Sequence, residues 1–180
     1  MSSTPTRTTL RWLASFAGFP LGGLAAMVLV GPVDSVATAA AGGLLTGAVL
    51  GAVQAWGMRA DRREAAAWSA ATALGLAVGL ALGSSLVGFD TTMADLAVQG
   101  IVSGAFVGAA QAVLLHRRLG RLAIAWPAYL AGAWALGWTV TTAIGVEVDE
   151  QFTVFGAAGA VTVAALTSVL PVLLVRRDAR

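Results

Sequence analysis

The chain has 180 residues, 58% of them hydrophobic and only 11% charged, with a mean hydropathy of +0.82. Soluble domains carry roughly 45–50% apolar and about 25% charged residues, so this chain lacks the polar side chains that would cover a water-facing surface. No cysteine, one histidine and a net charge of +2 exclude disulfides, iron–sulfur clusters, thiolate zinc, cysteine nucleophiles and a broad basic face for nucleic acid.

The charges are bunched and leave six charge-free stretches, 12–33, 35–58, 65–89, 96–116, 122–146 and 151–175, which together hold 142 residues. A bilayer core of about 30 Å needs roughly 20 apolar residues of helix, and every stretch is long enough. The expected fold is an all-α integral membrane protein of six transmembrane helices, one domain over residues 1–180. Residues 1–10, rich in Ser and Thr, read as a mobile cytoplasmic tail.

Span 1 follows Arg7 and Arg11 and opens with Trp12. A secretory signal has an apolar core of about 7–15 residues, shorter than this run of 22, so a retained span is expected. Pro20 should kink it, and Asp34 closes it. Span 2 carries Gly43, Gly47 and Gly51 along one helical stripe, then Gln54, and ends at Arg59. Span 3 follows Arg62 and Arg63, includes Trp68 and a second stripe, Gly75, Gly79 and Gly83, and ends at Asp90. Thr92 and Asp95 resemble a capping box with Asp in place of Glu. Span 4 has Gly100, Gly104, Gly108 and Gln111, then His116 and the arginines 117, 118 and 121.

Span 5 opens on Trp126 and Pro127, the latter suited to a first helical turn. Trp134 and Trp138 share a face deep in it, for packing or for a lateral groove that holds a lipid. Glu147, Asp149 and Glu150 follow; the last two favour the positive N-terminal end of helix 6. Span 6 contains Pro171, a second expected kink, and precedes Arg176, Arg177 and Arg180.

All eleven basic residues fall in alternate connections, and the other connections carry only acids. Positive charge marks the inner side of short membrane loops, so both ends of the chain are expected in the cytoplasm, with the bacterial inner membrane as its location.

The sequence also repeats at 56–58 residues. Trp12, Trp68 and Trp126 are in register, as are the Gly-xxx-Gly-xxx-Gly-xx-Gln runs at 43–54 and 100–111, with Thr167 at the third Gln position. The repeats, roughly 12–58, 65–116 and 122–175, are helical hairpins. Each has an even number of spans, so all three lie parallel, related by an axis along the membrane normal. A pseudo-threefold ring is the expectation and a linear array its alternative.

Small residues at four-residue spacing let helices approach closely where lipid supplies no hydrophobic drive; a narrow pore lined by backbone is the other use of such stripes. Gln54 and Gln111 lie five and six residues before Arg59 and Arg117, roughly 8–9 Å inside the boundary at 1.5 Å per residue. With Thr167 they form either interhelical clamps or a polar constriction. Trp12, Trp68 and Trp126 read as interfacial anchors.

No residues suggest catalysis, a metal or a cofactor. Ser103 lacks the glycine two positions earlier that a rhomboid-type motif has, His116 reads as an interface residue, and no Asp, Glu, Arg or Lys lies within a span.

The Gly-xxx-Gly-xxx-Gly-xx-Gln runs, the Arg-rich loop and the Trp-led helix that follows, over about residues 39–145, resemble a group of multi-span proteins of actinobacteria and cyanobacteria without an established activity. Gln54-Ala-Trp56 and Gln111-Ala-Val113 depart from that group's pattern, in which Trp often follows Gln directly. The resemblance implies architecture and location and assigns no site residues. Three functions remain: a non-catalytic scaffold or accessory subunit, with a membrane-protein partner or a second copy besides the lipid bilayer; a small channel for a neutral solute; or a lipid-binding protein.

Overall fold

The computed structural model describes residues 5–146, 148 and 154–178. All regular structure in it is helical: α1 (Pro5–Ala14), α2 (Gly18–Leu29), α3 (Val36–Met58), α4 (Arg62–Leu86), α5 (Met93–Leu119), α6 (Trp126–Ala143), α7 (Ala157–Thr167) and α8 (Val169–Asp178). Five helical runs are long and apolar enough to cross a membrane. The sequence has six apolar stretches because one run, Met93–Ala143, contains two of them. A 3-10 turn at Gly120–Ala125 joins α5 to α6 there, and the two helices fold back on each other: Gly100, Gly104 and Gly108 face Trp134, Leu130 and Pro127 in antiparallel order.

The helix ends follow from local chemistry. Asp61 accepts from the backbone N–H groups of Arg63 and Glu64 at 2.8 and 2.9 Å and starts α4. Ser35 and Thr38 form a complete capping box at the start of α3. Thr92 caps α5 through the Asp95 N–H, and its hydroxyl donates to the Asp95 carboxylate. Arg59 ends α3 in the left-handed region at φ 61°, where the Ala60 N–H reaches back to the Ala55 carbonyl at 3.0 Å. That is the six-to-one bond of a Schellman ending.

Both internal prolines interrupt their helices. Proline removes the N–H that would bond the residue four earlier and crowds that carbonyl. Pro20 accordingly follows a 3-10 turn at Ser15–Ala17 between α1 and α2, and Pro171 follows a break at Ser168 between α7 and α8. Pro127 sits in the first turn of α6.

Residues 5–10, expected as part of a mobile tail, are the first turns of α1, and Thr8 is buried. Residues 1–4 of that tail, the acids Glu147, Asp149 and Glu150, the Arg176 side chain and Arg180 lie outside what the structure describes.

From α2 to α6, successive helices pack antiparallel. The close approaches are at glycine, but the three stripes do not meet one another. Gly43, Gly47 and Gly51 on α3 receive α4; Gly75, Gly79 and Gly83 on α4 receive α5; Gly100, Gly104 and Gly108 on α5 receive α6. A Cβ on Gly47 would stand 2.6 Å from the Ala73 Cα, and one on Gly104 2.6 Å from the Leu130 carbonyl oxygen. Backbone lies directly on backbone at these points, so the van der Waals gain that drives association in lipid requires the missing side chains. The order closes on itself, since α7 packs against α2 and the Ser15–Ala17 turn, and α8 against α1 and α5.

The interior is filled by Leu50, Leu76, Leu80, Leu96 and Leu170, all fully buried, and by an aromatic cluster. Phe19 of α2 lies 5.9 Å from Trp134 of α6, centroid to centroid, and Phe155 touches Phe19, Trp134 and Trp138 at 5.0 to 5.8 Å. Trp134 and Trp138 are therefore packed against protein, the first of the two uses read from the sequence, and this cluster stands where the alternative placed a lateral lipid groove. Large apolar side chains such as Leu24, Val28, Leu74, Leu86, Val113 and Ile124 are exposed around the outside.

Candidate functional site: an indole–amide layer beside an arginine-lined cavity

Trp12, Trp68 and Trp126 point into the protein and are 1, 4 and 7% exposed. Each indole N–H is taken by a side chain of the helix before it in the closed order. Trp68 Nε1 donates to Gln54 Oε1 at 3.0 Å, Trp126 Nε1 to Gln111 Oε1 at 2.8 Å, and Trp12 Nε1 to Thr167 Oγ1 at 3.0 Å. A buried indole needs an acceptor for its single donor, and a carboxamide or hydroxyl at the facing position supplies it. Interfacial anchoring is the expectation for these three rings; the structure instead buries them, two against an amide and one against a hydroxyl. The exposed tryptophan is Trp56, 53% accessible, with the Arg11 guanidinium carbon 4.7 Å above its ring.

Further bonds join these pairs. Gln111 Nε2 donates to Thr72 Oγ1 at 3.0 Å, and that hydroxyl donates to the Trp68 carbonyl. Gln111 thus holds α4 and α6 at once from its place on α5. Thr167 donates to the Val163 carbonyl while accepting from Trp12, and Tyr129, stacked on Trp126, donates to the Leu166 carbonyl at 2.6 Å. Gln54, Gln111 and Thr167 do not face one another in these bonds; each is turned to a tryptophan.

Two polar residues missed in the sequence are Gln99, not singled out there, and Ser103, weighed only as a nucleophile. They lie one turn apart on α5, both buried, opposite Gly83 and Gly79 of α4, and the Gln99 Oε1 and Ser103 Oγ atoms have no hydrogen-bond partner. The only signal for them is a pair of polar side chains inside an apolar run.

The arginine-bearing end holds a cavity of about 330 Å³ between the end of α3, the start of α4, the end of α5 and α8. Its apolar wall includes Met58, Ala67, Trp68, Leu114, Leu115 and Leu174, and its charged wall is Arg63, Glu64, Arg117 and Arg118. Arg118 is paired with Glu64 at 2.8 Å, both about half exposed. Trp68 belongs to both features, lining the cavity while its N–H is held by Gln54. The sequence places these arginines at one end but gives no sign of a cavity, because its walls come from four helices.

His116 is exposed in the last turn of α5. Among the described residues no group of three His, Asp or Glu side chains gathers to hold a metal. Comparison with protein-family models, curated proteins and solved structures gives no match to this chain.

Proposed function

We propose that this chain is a multi-pass protein of the bacterial cytoplasmic membrane and serves as a non-catalytic scaffold or accessory subunit. In this reading six transmembrane helices form three parallel hairpins around a pseudo-threefold axis, with the arginine-bearing ends in the cytoplasm.

The observation that carries the scaffold reading is the indole–amide layer: the residues best suited to line a polar passage, Gln54, Gln111 and Thr167, spend their acceptors on buried tryptophans of neighbouring helices. A selective constriction needs such groups turned toward a shared lumen. The leucine and aromatic interior points the same way.

Six spans are supported by the antiparallel contact of α5 and α6 across the turn at Gly120–Ala125. The threefold repeat is supported by the common offset of 56–58 residues and by the equivalent bonds of its three tryptophans. The cytoplasmic assignment rests on the eleven arginines, all on one set of connections, by the charge bias of short membrane loops.

The test against a channel is stopped-flow swelling of proteoliposomes with water and small neutral solutes. The scaffold reading expects rates equal to those of empty liposomes for the wild type and for the Gln54→Leu/Gln111→Leu variant. Wild-type permeability above the empty control, abolished in the double variant, would establish a channel instead.

A further inference from the structure

We infer that the cavity at the arginine-bearing end is a binding site for an anionic membrane lipid. Arg63 and Arg117 would hold its headgroup phosphate, and the apolar wall would hold the first carbons of an acyl chain. The inference rests on the membrane reading above, but not on the choice between scaffold and channel.

The charge of the cavity is the first argument. Three guanidinium groups and one carboxylate line it, a net of two positive charges. The carboxylate, Glu64, is already held by Arg118. Among the described residues no acid pairs with Arg63 or Arg117, and both side chains are exposed, where an oxyanion can reach them. Planar guanidinium groups bind phosphate through paired N–H bonds and tolerate partial burial better than ammonium.

The opposite wall is the second. A free inorganic anion gains nothing from Met58, Leu114, Leu115 and Leu174, whereas a molecule with an anionic head and an apolar tail uses both walls at once. Size is the third argument. At about 330 Å³ the cavity stands near the lower end of ligand pockets, roughly 300–1,000 Å³. It suits a headgroup and the start of one chain, with the remainder of the lipid left in the bilayer beside the exposed helices. Basic clusters at the cytoplasmic boundary of a membrane protein attract anionic lipids for the same electrostatic reason.

The experiment uses the full chain in a neutral maltoside detergent and isothermal titration. The probes are short-chain phosphatidylglycerol, short-chain phosphatidylcholine and inorganic phosphate. Phosphatidylglycerol is expected to bind at least tenfold more tightly than phosphatidylcholine, and more weakly as salt is raised. Arg63→Gln/Arg117→Gln should remove that preference while helicity by circular dichroism and monodispersity are kept. Ala67→Trp, which fills the cavity without changing charge, should weaken phosphatidylglycerol binding at least fivefold. Glu64→Gln, which frees Arg118, should tighten it.

Equal affinity for the two lipids would overturn the inference, as would phosphatidylglycerol binding that survives both the double arginine variant and Ala67→Trp. Inorganic phosphate that binds as tightly as phosphatidylglycerol and displaces it would assign the site to a free anion and overturn the lipid. Should the arginine variant fail to fold, the salt dependence and Ala67→Trp decide the matter.

Discussion

Replacing Gln111 by leucine should cost about 1 kcal/mol more stability than replacing Gln54, although both occupy the same place in the Gly-xxx-Gly-xxx-Gly-xx-Gln run. Gln54 accepts one bond, from Trp68, whereas Gln111 accepts from Trp126 and also donates to Thr72. Hydrogen bonds between membrane helices average about 0.6 kcal/mol and reach about 1.7, so Gln54→Leu should cost about 1 kcal/mol and Gln111→Leu about 2. Leaving the buried N–H of Trp68 or of Trp126 without an acceptor raises both values alike, since an orphaned buried donor costs about 1–3 kcal/mol, and the difference of about 1 kcal/mol from the Thr72 bond remains. Thr72 keeps its bond to the Trp68 carbonyl and adds little. The assay is reversible unfolding in mixed micelles titrated with dodecyl sulfate, read by circular dichroism. A double-mutant cycle of Gln111→Leu with Trp126→Phe should return a coupling of about 0.6–1.7 kcal/mol. A Gln54→Leu cost equal to or above that of Gln111→Leu, or a coupling near zero, would refute this account of the layer.

The glycines should divide by what faces them. Gly47→Ala drives a methyl into the α4 backbone and should cost about 1–3 kcal/mol. Gly132→Ala, with nothing within 4 Å of the new carbon, should be neutral or stabilise by up to about 1 kcal/mol through helix propensity, and unfolding midpoints of the two variants check the contrast. Brominated lipids should quench the fluorescence of the wild type mainly through Trp56, exposed while Trp12, Trp68, Trp126, Trp134 and Trp138 are buried. Quenching that is unchanged in Trp56→Phe would show that one of the buried rings faces lipid.

Much of the fold is legible in the sequence because bilayer-scale helices advertise themselves: charge-free runs of 21–25 residues separated by short charged connections leave little else to form. The breaks ahead of Pro20 and Pro171 were readable for an equally local reason, the missing proline N–H. Partner choice was not. Gly43, Gly47 and Gly51 announce a close approach, but nothing local says that α4 arrives there, since any helix can pack on a small-residue stripe. The tryptophans are the clearest case. A Trp beside an arginine loop reads as an interfacial anchor, and only the three-dimensional arrangement reveals that Gln54, Gln111 and Thr167 stand opposite the rings. The repeated Gln and the repeated Trp were both visible; that they bond each other depends on which hairpins are neighbours. The cavity was hidden for the same reason, because Met58, Trp68, Leu115 and Leu174 come from four different helices. The merging of α5 and α6 into one helical run follows from a connection that keeps helical turns through Gly120–Ala125 where a loop was expected.

The central claim is a six-span bundle with its arginines on one side, and side-specific labelling of single cysteines tests it most directly, since the chain has no cysteine of its own. Single variants at Asp34, Arg59, Asp90 and Arg121 in right-side-out and inverted vesicles, labelled with an impermeant maleimide, sample four successive connections. The account predicts that Arg59→Cys and Arg121→Cys react only from the cytoplasmic face, and Asp34→Cys and Asp90→Cys only from the opposite face. Labelling of Arg121→Cys from the same face as Asp90→Cys would mean that α5 does not cross the membrane, and would contradict the six-span account.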